Sequence, residues 1–307
     1  MDAIKAPAAP SRRRLRSLIA LLAALFLVLV ACQPKPSGPA IWRLADADSE
    51  IWLFGTVHVL PRDVQWRTER INRAFASADT IVFETDTRAD AGARLAALFE
   101  AQGFTQSGPP LSERLPPVER LRFFRVARKL GVAPAGLAEL ERMRPWFAAM
   151  QLSFMFVRSM GHEPSVGVDA ILATEAERLG KRRAFLETAE EQVSFLADLP
   201  PDVELRFLIS SLRQIEEDKD SLAEIDQAWA HGDTRKLAQL LNGLIEEAGP
   251  EVYRAVITDR NSRWTVAIER MLAGRDDVFI AVGAAHLVGR GSVIEQLRAR
   301  GHRVQGP

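Results

Sequence analysis

Ile51-Trp52-Leu53-Phe54-Gly55-Thr56-Val57-His58 and Val278-Phe279-Ile280-Ala281-Val282-Gly283-Ala284-Ala285-His286 repeat one pattern: apolar strand, glycine, two further residues, histidine. A buried strand that stops at glycine and offers a polar side chain three residues later can deliver that group to the crevice at the carboxyl edge of a parallel sheet. The two copies use two of the five histidines in the chain, so the spacing predicts one site shared by His58 and His286. Short apolar runs bring the predicted strands to four, over residues 51–54, 80–83, 183–186 and 278–282. Between the first two, Ile71, Ala74, Phe75 and Ala78 recur at helical spacing across residues 67–78, which predicts a βαβ unit with parallel neighbours. The expected class is α/β, with a mixed, largely parallel central sheet and large helical insertions.

Those insertions have visible punctuation. Pro116-Pro117 opens a helix through Lys129 that Gly131 ends, a second runs over residues 144–160, and a third over 169–179 stops at Gly180. Residues 190–274 form a further helical block, 291–299 a closing helix, and 302–305 a short final strand. Trp146, Phe147, Met150, Phe154, Met155 and Phe156 crowd the second helix and read as core. His162, His231 and His302 lie beside glycine or near the C-terminus and read as solvated.

The N-terminus reads as an export signal. Arg12, Arg13, Arg14 and Arg16 precede an apolar run over residues 18–31, too short for a comfortable membrane span and suited to a signal peptide. Leu29-Val30-Ala31-Cys32 resembles the bacterial lipobox, in which the cysteine is acylated and becomes the mature N-terminus. This reading makes residues 1–31 a lipoprotein signal peptide, Cys32 a lipid anchor, 32–40 a proline-rich tether, and 41–307 one domain. Gln33, rather than Asp, follows the cysteine, which implies an outer-membrane lipoprotein facing the periplasm or the surface. Cys32 is the only cysteine, so no intramolecular disulfide is possible. Setting aside Lys5, the four arginines and Asp2 leaves 35 basic and 39 acidic residues, a net charge of −4. That balance argues against nucleic-acid binding, which relies on clustered positive charge.

Acids and imidazoles collect at the predicted strand ends. His58 lies beyond the first strand, Glu84 ends the second, Glu187 ends the third, and His286 lies beyond the fourth. Parallel strands would gather all four at one end of the sheet. Two neutral imidazoles and two carboxylates can bind zinc, manganese or another divalent cation. The same residues can also act without metal, a histidine tuned by a neighbouring glutamate taking a proton from water or substrate. The chain has no GxGxxG or GxxxxGK[ST] loop, and no HExxH, CxxC or GxSxG signature. It therefore points to hydrolysis outside the common motif classes. Arg144, at a helix start before Pro145, can orient a carboxylate or an anionic intermediate.

At these residues the chain resembles the TraB/GumN family, which includes YbaP-like bacterial proteins and is similar to the animal Tiki proteases. The matching pieces are Leu53 to Val59, Val82-Phe83-Glu84-Thr85-Asp86, Arg144-Pro145-Trp146, Gly167-Val168-Asp169, Leu186 to Gln192, Asp259-Arg260-Asn261 and Ala281 to Gly289. The resemblance implies a fold similar to erythromycin-esterase-like and heme-binding ChaN-like proteins. Through the Tiki branch it implies a manganese- or cobalt-dependent peptidase, with His58, His286 and Glu84 on the metal. Glu187 and Arg144 then assist catalysis, and Arg260 and Asn261 support the ligands. The expected function is a metal-dependent envelope hydrolase acting on a peptide or small-molecule substrate. The alternatives are a non-catalytic protein that captures a peptide, heme or small ligand, and a metal-independent esterase.

Overall fold

The computed structural model describes residues 38–307 apart from 87, 218 and 219. The expected signal peptide, Cys32 and most of the expected tether lie outside the described residues. Among the described residues, no helix is long and apolar enough to cross a membrane.

Five strands form one sheet: β1 (Ile41–Ala45), β2 (Glu50–Thr56), β3 (Thr80–Phe83), β4 (Arg182–Phe185) and β5 (Val278–Gly283). Their spatial order is β1-β2-β5-β3-β4. β2, β5, β3 and β4 run parallel, and β1 alone pairs antiparallel, with Ile41 opposite Phe54. β5 is the central strand. Its residues Val278 to Val282 are all buried, the continuous apolar run expected of a strand covered on both faces. At the edge, β4 is only half-buried and carries Arg182 and Arg183.

Two expectations need correction. β2 and β3 are parallel but not neighbours, because β5 enters from the far end of the chain and pairs with both. Residues 302–305 make no strand; Gln305 forms a single bridge to Arg43.

Helix Glu69–Ser77 crosses between β2 and β3. Thr68 caps it by accepting from the Ile71 N–H, and Ile71, Ala74 and Phe75 face the sheet. Each of the two larger side chains gains about 1.5–3 kcal/mol from burial. Helices from the long interval between β3 and β4 join helix Pro201–Glu217 in a second hydrophobic cluster around helix Pro145–Ser159, where Trp146, Phe147 and Leu152 are buried, whereas Phe154 of the same helix is exposed rather than core. Two further helices belong to this half, Ala89–Gly103 and Pro134–Leu140. After β4, a capping box between Thr188 and Glu191 starts helix Ala189–Ala197, fixing the turn that holds Glu187. The chain returns to β5 through helix Asp259–Leu272, entered by a π-helical turn over Arg254–Thr258. Such wide turns often sit beside functional residues.

Candidate functional site

Glycines bring the distant segments together. A Cβ on Gly55 would stand 3.1 Å from Ala284 Cα, so the bare backbone of β2 lets the turn after β5 settle against it. The Gly55 carbonyl also accepts a 2.8 Å hydrogen bond from Trp229 Nε1. A Cβ on Gly283 would meet Glu84 Oε1 at 3.1 Å, His286 Cδ2 at 3.6 Å and His58 Nε2 at 3.8 Å. Three of the residues singled out in the sequence therefore surround one glycine at the carboxyl edge of the sheet. Gly167 makes a third close approach, because a side chain there would collide with the His58 carbonyl. The Val168 N–H donates to the Val57 carbonyl at 2.9 Å and sets Asp169 beside the ring.

Both imidazoles are held at Nδ1. His58 Nδ1 lies 2.7 Å from Asp169 Oδ2, and Thr56 Oγ1 donates to the other oxygen of that carboxylate. His286 Nδ1 lies 2.7 Å from Asn261 Oδ1. The Asn261 amide nitrogen donates to the Gly291 carbonyl at 2.8 Å, so its oxygen faces the ring and Nδ1 must carry the proton. His286 then has a lone pair at Nε2, which accepts from Arg260 Nη1 at 3.1 Å. Trp264 packs on the same ring, with centroids 4.4 Å apart.

Arg260 is the hub. Its Nε and Nη2 bond Glu187 at 2.9 and 2.8 Å, and Nη2 also reaches Glu84 Oε2 at 2.6 Å. Trp264 Nε1 donates to Glu187 Oε1 at 2.9 Å, and the Gly283 N–H donates to Glu84 Oε1 at 2.6 Å. Arg260, Asn261 and Trp264 come from the broad buried side of helix Asp259–Leu272.

Solvent reaches this cluster from one side. The His58 side chain is 67% exposed, whereas those of Arg260, Glu84 and Glu187 are 8%, 9% and 1% exposed. Burying so much charge rarely adds stability over hydrocarbon of the same volume, so its retention points to chemistry. The titrating groups are also driven apart. Asp169 raises the His58 imidazole to about 9. Burial and the Arg260 charge lower His286 to about 3. Burial would raise Glu84, but Arg260 and the imidazoles outweigh it and hold its carboxyl at about 2. Burial pushes Glu187 upward, and its Arg260 contacts only partly offset this. Groups of one type with opposed shifts are a mark of acid–base sites.

Other expected residues stand elsewhere or in other roles. Arg144 bonds the Gln102 and Ala197 carbonyls and Glu204, and none of these contacts is to the cluster. It ties helices of the second hydrophobic cluster together because the 3% exposed Glu204 side chain requires a counter-charge there. Glu187 has both oxygens engaged and serves as a clamp on Arg260. His162 is buried rather than solvated, with Nε2 2.8 Å from Asp226 Oδ2. Asp169 and Trp264 went unassigned by role in the sequence; the nearest signals were the Gly167-Val168-Asp169 match and the helical spacing from Arg260.

The donor set suits a divalent cation in kind. Each imidazole is anchored at Nδ1 by an oxygen, the arrangement that leaves Nε2 as a ligand. Glu84, Glu187 and Asp169 bring three carboxylates to the site, facing Arg260, a more distant Arg263 lying 3.8 Å from Glu187, and the His58 imidazole that Asp169 raises to about 9. The spacing is not that of a finished coordination shell: among the described residues, no three His, Cys, Asp or Glu side chains are grouped to hold a metal. Arg260 occupies the His286 lone pair instead. A cavity of 410 Å³ opens on the Glu187 side, lined by Thr85, Asp86, Arg94, Phe185 and Glu190 among others. A larger one of 830 Å³ lies in the helical half around Phe104, Met143 and Phe147. It gathers none of the cluster's residues, and the smaller one includes Glu187 but none of His58, Glu84 or His286.

The family model of the TraB/PrgY/gumN family matches residues 40–306. The uncharacterized protein YbaP of Escherichia coli (strain K12) is 24% identical over 261 residues, covering 85% of this chain and 92% of its own. Metalloprotease TIKI2 of Danio rerio is 25% identical over 301 residues, covering 83% of this chain and 58% of its own. Metalloprotease TIKI1 of the same fish is 24% identical, covering 86% and 62%.

Proposed function

The chain belongs to the TraB/PrgY/gumN family, and from that premise we propose that it is a divalent-metal-dependent hydrolase of the bacterial envelope, acting on peptides. His58 Nε2, His286 Nε2 and Glu84 would hold the cation, manganese or cobalt being the expected ions. When bound, such an ion supplies a Lewis acid that polarises a carbonyl and makes water a better nucleophile near neutral pH.

The observation that carries the reading is the pinning of both rings at Nδ1, by Asp169 and Asn261, around the Glu84 carboxylate. Asp169 orients His58, and Asn261 fixes the His286 tautomer. Glu84, held at about 2, is ionised throughout the neutral range. Glu187 positions Arg260, whose guanidinium offers charge to an anionic group at the base of the cleft. Substrate would approach across His58, the solvent-facing member. Acylation of Cys32 would hold the domain at the outer membrane.

The test is hydrolysis of a peptide mixture by the purified protein with added Mn²⁺ or Co²⁺, read by mass spectrometry beside equilibrium dialysis for bound metal. His58→Ala and His286→Ala should each cost about 100-fold or more in turnover and lose the bound ion. Turnover and bound metal that both survive these substitutions would refute the assignment. Turnover that survives chelation would instead favour metal-independent hydrolysis, with the His58–Asp169 pair moving the proton. Saturable peptide binding without product would favour a binding protein.

A further inference from the structure

We infer that Arg260 is a displaceable resident cation: it neutralises the Glu84–His286 pair in the metal-free protein and withdraws onto Glu187 when a divalent ion enters. This rests on the metal reading of the site given above.

The contacts divide into two sets. Arg260 Nε and Nη2 form a two-pronged grip on Glu187, at 2.9 and 2.8 Å, that needs neither Glu84 nor His286. The remaining contacts, Nη2 to Glu84 at 2.6 Å and Nη1 to His286 at 3.1 Å, fall on two of the three proposed ligands. A divalent ion and this guanidinium therefore compete for the same carboxylate and the same lone pair. Bidentate arginine–carboxylate pairs are among the strongest charge-assisted bonds, so giving up the second set still leaves Arg260 anchored.

The position it would keep is already built. Its guanidinium carbon stands 4.8 Å from the Trp264 ring centroid and 5.0 Å from that of Phe195. Two aromatic faces thus cradle the charge, and Trp264 packs on the His286 ring as well. Trp264 also holds Glu187, so cradle and anchor move as one piece. A divalent ion entering past exposed His58 would take over Glu84 and leave Arg260 to Glu187, where Arg263 stands 3.8 Å away.

The experiment compares wild-type protein with Arg260→Gln and Arg260→Lys, reading Mn²⁺ affinity by equilibrium dialysis and Tm with and without Mn²⁺. Without metal, Arg260→Gln should melt roughly 10 °C lower, because it strips the guanidinium from buried Glu84 and leaves Glu187 only the looser Arg263 pair. It should bind Mn²⁺ about tenfold tighter or more, since no charge-assisted bonds must be broken first. Its Tm should also rise further on adding Mn²⁺ than wild type's does. Arg260→Lys, which keeps a charge but cannot fork, should fall between the two. If Arg260→Gln does not fold, the lysine variant decides alone. Wild type that binds Mn²⁺ while the variants bind equally or more weakly would overturn the inference and leave the metal reading standing. Failure of all three to bind would overturn both.

Discussion

On helix Pro117–Lys129, Arg122 and Arg125 share Glu216 at 2.7 and 2.6 Å, while Arg213 reaches Glu119 at 2.6 Å and Arg122 bonds Glu119 as well. At the sheet edge, Arg260 serves both Glu84 and Glu187, with Arg263 more loosely placed 3.8 Å from Glu187. The helical network has three guanidiniums for two carboxylates, and its outer members are half-exposed, with Arg125 at 46% and Arg213 at 56%. Its charges are met, and water screens what remains. The sheet-edge network is buried, and its central guanidinium is divided between two carboxylates and an imidazole. The same residue types thus make a brace in one half of the molecule and a reactive site in the other. What separates them is the depth of burial and the sharing of one guanidinium among several partners.

The comparison can be broken most forcefully through Arg144, which the structure assigns to the bracing half. Arg144→Met leaves Glu204 buried and unpaired, costing about 3–5 kcal/mol and lowering Tm by roughly 10 °C, with Mn²⁺ affinity unchanged. A loss of metal affinity at unchanged Tm would move Arg144 into the site. Next in size, Asp169→Asn removes the carboxylate that orients His58. It should weaken Mn²⁺ binding by about 10–100-fold while Tm barely moves, which dialysis beside calorimetry can check. Gly283→Ala should weaken binding less than Asp169→Asn, since its methyl would press on Glu84 Oε1 from 3.1 Å. An unchanged affinity would mean that the glycine merely turns the chain.

The smallest effect concerns acid. Hydrogen bonds from Arg125 and then Arg122 hold the Glu216 carboxyl at about 2, below its ordinary 4.5. A carboxyl lowered on folding contributes stability above its unfolded value and loses it as pH falls through the folded one. Tm of the wild type should therefore fall between about pH 4.5 and pH 2, and Glu216→Gln should flatten part of that slope. A variant with the same acid limb would show that the exposed brace contributes little.

Much of the sheet was legible because a parallel strand is buried on both faces and leaves a continuous apolar run. The runs ending at Phe54, Phe83 and Val282 announced themselves, and the GxxH copies marked where the chain leaves the sheet. β1 was missed, for Ile41–Ala45 directly follows a proline-rich stretch and its antiparallel pairing depends on a turn at residues 46–49. Helix Ala89–Gly103 was missed because its alanine-rich sequence carries only a weak apolar stripe. In the site, His58, His286, Glu84, Glu187, Arg260 and Asn261 come together as expected. The partner relations were beyond sequence reach. Nothing local in Asp169 says that Gly167 lets its loop lie against the His58 carbonyl. His162, next to Gly161 and near Pro164, looks like a loop residue until helix Ser221–Ala230 covers it with Asp226.

An anomalous-scattering map from crystals grown with manganese, collected at the manganese edge, puts the metal reading to its most direct trial. The expected result is one peak bonded to Nε2 of both His58 and His286 and to a Glu84 oxygen. A map with no peak there, or with manganese bound only elsewhere on the molecule, would contradict it.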